Sequence, residues 1–166
     1  MAYLLGSAGK VYWGLVGTDD LIEAEVATDA AFKTAIDDWH SPTGPSEAGN
    51  VMDVTINVDA EFVDATTRSE ASQGFASRIN VLNGGQVTFD MRWDTVDLFF
   101  TELQTAWKTK VSIPIWFSDK EIAAGAQGLA ANWSVGFNIQ QPLRDVQKVS
   151  VTLEIASWPI WHVRPA

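Results

Sequence analysis

Residues 84–107, GGQVTFDMRWDTVDLFFTELQTAW, change period part-way. Val87, Phe89, Met91 and Trp93 alternate with Gln86, Thr88, Asp90 and Arg92. A period of two is the signature of a strand with one apolar face. After Asp94 the apolar residues Val96, Phe99, Phe100, Leu103, Ala106 and Trp107 fall at helical spacing. This predicts an amphipathic helix over about residues 95–108. Asp94 sits where an N-cap belongs, and Asp97 falls in the first turn. Lys108 and Lys110 stand at the far end, where cations suit the helix dipole. Gly84-Gly85 reads as a hairpin turn.

Working outward, alternation predicts more strands than helices. KVYWGLV (10–16) reads as a first strand. VMDVTINVDA (51–60) puts Val54, Ile56 and Val58 on one face and Asp53, Thr55, Asn57 and Asp59 on the other, as a half-buried strand does. VSIPIWFS (111–118) carries Pro114, which assigns it to an edge or a bulge. ANWSVGFNIQQ (131–141) and VQKVSVTLEIAS (146–157) alternate cleanly, and SWPIWHVRPA follows as a tail. TDAAFKTAIDD (28–38) fits a short helix through Phe32 and Ile36, although acids at its end oppose the dipole. SPTGPSEAGN (41–50) and Gly125–Gly128 read as loops, and 69–85 is a long polar span. The expected fold is mainly β: a single domain over 1–166, a sandwich or barrel of six or seven strands with one packed helix.

Composition excludes several classes. The chain has 166 residues, 46% of them hydrophobic, which is enough to bury a core. A net charge of −10 disfavours tight binding of nucleic acid through a basic face. The absence of cysteine removes disulfides and thiolate metal sites. MAYLLGSAGK lacks the basic start of a signal peptide, and no apolar run reaches a membrane span.

The chemistry-bearing residues form no catalytic set. Asp90 and Asp94 are about 13 Å apart along a strand, too far for a carboxylate pair, and helix capping accounts for Asp94 and Asp97. An acid–base glycosidase would need two carboxylates within roughly 5–10 Å. His40 and His162 have no metal-ligand spacing, no nucleophile or phosphate-loop motif occurs, and no cofactor is expected. Asn132-Trp133-Ser134 matches a glycosylation sequon but reads as strand. Of eight tryptophans, Trp93, Trp107 and Trp133 fall on apolar faces as core. Trp13, Trp39, Trp116, Trp158 and Trp161 lie at ends or on opposite faces. They suit either a subunit interface or a carbohydrate-binding sandwich with aromatic platforms.

The order of elements resembles the major tail tube proteins of tailed bacteriophages. The resemblance spans about residues 50–157. It rests on N-V-x-D-V-T (50–55), T-T-R (66–68) entering a polar loop, G-x-V-x-F-x-M-x-W-D (85–94) and P-L-x-x-x-x-x-V-S-V-T (142–152). It implies a structural virion protein of the tail, made in the host cytoplasm. Six subunits would close into rings with a continuous inner β-barrel, stacked into a conduit for the genome. The implied partners are further copies of the chain, a tape measure and a tail terminator, with DNA passing unbound and no membrane. Asp53, Asp59, Asp90 and Glu154 are then candidate lumen-facing acids, unless they solvate the outside of the tube. Ser69, Glu70, Gln73, Phe75, Arg78 and Asn80 belong to a candidate assembly loop.

Overall fold

The computed structural model describes residues 9–64, 78–141 and 147–166, with backbone alone at 60–64 and 78–83. Among these residues seven strands form one antiparallel sheet. They are β1 (Lys10–Trp13), β2 (Ser46–Glu47), β3 (Val51–Asp64), β4 (Arg78–Arg92), β5 (Ile113–Ser118), β6 (Gln127–Gln140) and β7 (Lys148–Val163). Their order is β2-β1-β5-β6-β7-β4-β3. The helices are α1 (Glu23–Val26), α2 (Asp29–Asp38) and α3 (Leu98–Thr109). The sheet curls until the start of β3 faces β1, β5 and β6 across an open mouth.

The inner face follows from alternation. Val87, Phe89 and Met91 of β4 pair with Leu153, Val151 and Val149 of β7, and all six are buried. α3 lays Phe99, Phe100, Leu103 and Ala106 over them. Phe99 meets Trp13 and Phe89, with ring centroids 5.6 and 6.2 Å away, and Phe100 meets Trp93 and Phe137. Burying a side chain of this size contributes about 1.5–3 kcal/mol.

The helix begins later than its pattern suggests. Asp97 is the N-cap and accepts from Phe100 N at 3.1 Å. Asp94 instead accepts from Val96 N at 2.9 Å, closing the turn before the helix. Both acids cap local turns, but the roles are shifted by three residues. Lys110 ends α3 in the left-handed conformation.

A second layer lies on the outer face, where the sequence reading expects no helix packing. Phe32, Ala35 and Ile36 of α2 join Tyr12, Trp39, Trp116 and Ala130 in a separate buried cluster. β5 is therefore buried on both faces, residue by residue. It is also central, paired to β1 and β6, not the edge strand that Pro114 suggests. The physical reason is local. Pro114 O accepts from Gly14 N just beyond the last β1 partner, Trp13↔Ile115, so the missing N–H points where β1 has ended.

Two glycine assignments change. Gly84 and Gly85 lie inside β4, opposite Asp59 and Val58, not in a turn. A Cβ on Gly85 would come within 2.6 Å of Ile155 Cδ1 and 3.2 Å of Asn57 O, so the residue serves close packing. Gly128 belongs to β6, where a Cβ would collide with Phe117 O. The tail is structured as well: Trp158 to Val163 continue β7.

The tryptophans are redistributed. Trp13, Trp39, Trp116 and Trp133 are buried, Trp93 is half-buried, and Trp107, Trp158 and Trp161 are exposed. Trp107 thus departs from its core assignment, because it sits at the last turn of α3 against Phe137, beyond the covered sheet. Trp39 and Trp116 are buried because the α2 layer covers them.

Candidate assembly surface

The exposed side of the sheet formed by β3, β4, β7 and β6 is polar because those strands alternate in register. Asn57, Gln86, Glu154 and Ser134 form one row across four strands. Thr55, Thr88 and Thr152 form the next, followed by Asp90, Ser150 and Asn138. Arg92, Lys148 and Gln140 close the face. Ser150 Oγ donates to Asp90 Oδ1 at 2.6 Å, which holds that carboxylate against its neighbour strand.

The candidate acids divide. Asp59, Asp90 and Glu154 lie at the register positions of this polar face; Asp59 and Glu154 are exposed and Asp90 half-buried. Asp53 lies apart. A register shift between Met52 and Thr55 puts it at a bulge with φ 51°, beside the mouth. Arg92 and Lys148 are direct partners on the same face, a like-charge pairing that the lone chain has no reason to favour. Of the candidate loop, Ser69, Glu70, Gln73 and Phe75 lie outside the described residues. Arg78 and Asn80 are in β4, opposite Asp64 and Phe62, so the polar span is strand from residue 78 onward. Long paired strands override its turn-like composition.

β3 carries the surface that the sequence reading takes for buried. Ile56 pairs with Val87, so it faces the inner side as its alternation requires. Yet Val54, Ile56 and Val58 are 39%, 40% and 57% exposed. α3 does not reach them, and β3 is the last strand of the sheet, with one edge unpaired among the described residues. A long edge with an open apolar row is an aggregation hazard unless something covers it.

The outer layer is held by specific polar contacts. Buried Asn132 donates from Nδ2 to Leu21 O and Ser157 Oγ and accepts from Leu21 N, at 2.9–3.0 Å. Its amide is fully engaged inside the fold, which leaves the sequon no exposed acceptor. Buried His162 places Nδ1 3.0 Å from Asp29 Oδ1 at the start of α2, and Arg164 pairs with Asp37 at its end. Arg164 thereby answers the acid that opposes the helix dipole. Burial between Phe32 and Trp116 lowers the His162 pKa below its ordinary 6.5, against the upward pull of Asp29. Burial raises Asp20 and Tyr12. Among the described residues no three of His, Asp and Glu gather as a metal-ligand group, and no helix is long and apolar enough to cross a membrane.

No protein-family model matches the sequence, and no curated protein sequence does so significantly. Solved structures do match. The SPP1 tail tube, a hybrid of solid-state NMR and cryo-EM, superposes with a TM-score of 0.66 at 9% identity, covering 99% of this chain and 81% of the other. This chain has the fold of phage tail tubes. The tail of a gene transfer agent, refined with C6 symmetry, matches with a TM-score of 0.58 at 8% identity over 75% of this chain and 90% of that one. The six-fold symmetrised baseplate of the anti-feeding prophage matches at 0.57 and 4% identity, over 100% and 99%. At such identities the likeness is one of fold, carried by backbone arrangement and not by shared side chains.

Proposed function

We propose that this chain is a structural subunit of a tail tube in a phage or related injection particle. Six copies close into a ring through β3, and rings stack into a conduit within the virion tail. The observation that carries the reading is β3: a tail-tube fold whose edge strand has Ile56 and Val58 exposed and one edge unpaired among the described residues, open to a neighbour. The polar face of β3, β4, β7 and β6 then lines the lumen. Hydroxyl and amide rows wet the wall, and Asp59, Asp90 and Glu154 outnumber Arg92 and Lys148, so DNA slides past without being held. Other tail proteins, a tape measure within and a terminator at the end, complete the assembly.

Sedimentation and electron microscopy of the concentrated protein test this reading. Rings or tubes with six-fold symmetry are the expected result. A strictly monomeric species at every concentration and salt overturns it. In a map of the tube, Asp59, Asp90 and Glu154 on the inner wall support the lumen assignment, and their placement on the outside refutes it.

Trp107 and Trp161, the two most exposed tryptophans, do not share a platform. Trp161 pairs with Leu129, while Trp107 packs on Phe137, eight residues along β6 and therefore about 26 Å away.

A further inference from the structure

The end of β7 and the residues after it, 162–166, run along one stripe of α2. Asp29, Lys33 and Asp37 recur at i, i+4 and i+8, so they stand in line on that helix. Asp29 Oδ1 accepts from Val163 N at 3.4 Å and lies 3.0 Å from His162 Nδ1. Lys33 Nζ donates to Ala166 O at 3.3 Å, and Arg164 pairs with Asp37. The backbone of Arg164 is held in turn: its N–H donates to Ala126 O at 2.7 Å, and its carbonyl accepts from Gly125 N at 2.8 Å. The segment is a strap between α2 and the turn at 125–126. The Lys33 and Arg164 contacts reach exposed partners, and such contacts hold weakly. His162 differs. It is fully buried, with its ring centroid 4.2 Å from Phe32 and 5.7 Å from Trp116. Because the Asp29 carboxylate accepts, Nδ1 is the donor, and the neutral ring satisfies the contact.

We propose that this segment is a proton-controlled strap: neutral His162 keeps α2 on the outer face, and protonation of the ring lets α2 lift while the inner sheet and α3 stay folded. A proton on Nε2 puts a full charge in a pocket walled by Phe32 and Trp116, with one half-exposed carboxylate to answer it. Once α2 lifts, the hydrated ring titrates at its ordinary 6.5, whereas burial keeps it below that in the docked state. Acid therefore favours the lifted state, by up to about tenfold per pH unit between the two values. The charged groups facing the ring are Asp29 from α2 and Arg164 from its own segment; β6 and β5 present Gly128 and Trp116, which carry no charge. Asp20, in the loop leading to buried Leu21, is raised by burial and pulls the other way, since its proton favours the docked state. Release stays local because the cores are separate. α2 packs with Tyr12, Trp116 and Ala130, while Val87, Phe89, Met91 and α3 belong to the inner cluster. The strap lies within one subunit, so the inference stands apart from ring formation.

Amide protection in the whole chain, kept dilute, tests the strap at about pH 7.5 and about pH 5.5, a window in which histidine titrates and ordinary carboxylates do not. Rates are corrected for intrinsic exchange. The expected result is that amides at Phe32–Asp38 lose protection several-fold, up to about tenfold, while those at Val87–Met91 keep theirs. Equal loss in both regions means that the chain opens as a whole and overturns the proposal. Unchanged protection in α2 overturns it too. This comparison requires no variant. His162→Asn provides a second measurement: it offers Asp29 an amide donor but takes up no proton. Its α2 protection should no longer change between the two pH values. A response that persists in this variant assigns the proton to another group and overturns the proposal as well.

Discussion

β5 is covered on both faces, whereas the first nine residues of β3 are fully buried on neither. β5 is short, contains a proline and has no clean alternation. β3 is long and alternates well. Their burial runs opposite to what pattern suggests because pattern fixes which way a side chain points, not what lies opposite it. β5 sits under α2 on one side and the inner core on the other. β3 points the correct face inward but stays exposed there among the described residues, because α3 ends short of it. Under the proposed tail-tube role this difference would have a use: β5 is covered by described residues of its own chain, and β3 would be covered on assembly.

Substitutions at the two ends should therefore behave as opposites. Trp116→Ala empties a site touched by Tyr12, Phe32 and His162. It should cost about 3–5 kcal/mol in urea denaturation of the free subunit. A loss below about 1 kcal/mol would mean that α2 is not firmly docked on the outer face.

Asp97→Ala removes the α3 cap and should cost about 1 kcal/mol. Asp94→Ala, which loses only a turn contact, should cost less. Equal losses would restore the earlier helix start that the spacing of apolar residues suggests.

The docked end should also be the acid-sensitive one. The native pKa of His162 lies below the unfolded 6.5, so the unfolded chain binds the extra proton first. Stability is thus full above pH 6.5, falls as pH drops toward the native value, and levels off below it. The groups facing the ring are Asp29 on α2 and Arg164 just beyond the end of its own strand. His162→Gln should flatten this fall in a pH series of denaturation midpoints. An unchanged slope would place the sensitivity elsewhere.

The smallest effect on the free subunit is expected at the bare end. Val58→Asp should change subunit stability by no more than about 0.5 kcal/mol, as exposed sites do. It should nevertheless abolish assembly, read by sedimentation. A large loss of subunit stability would show that Val58 is already covered within the chain.

Much of this architecture is legible in the residues. The alternation of 86–93, 131–141 and 146–157 yields strands whose faces are correct, and the change of period after Asp94 yields the helix. The capping acids read as caps, three residues out of place, because Asp94 and Asp97 both come early in the apolar stripe. Three features are hidden for physical reasons. Trp116 looks like an end residue because an outer helix layer leaves no period-two signal in a strand buried on both faces. Gly84-Gly85 looks like a turn because glycine serves close packing as well as reversal. The exposure of Val54, Ile56 and Val58 depends on where α3 stops, which no local pattern encodes. Of the candidate lumen acids, register joins Asp59, Asp90 and Glu154, while an unforeseen bulge separates Asp53.

The most direct test of the contrast between the two ends is hydrogen–deuterium exchange, measured in the free subunit and in assembled tubes. The expected outcome is that amides of β3 at Val54–Asp59 slow markedly on assembly, as the open edge gains a partner, while those of β5 stay equally slow in both states. Assembled tubes in which β3 exchanges as fast as in the free subunit would contradict it.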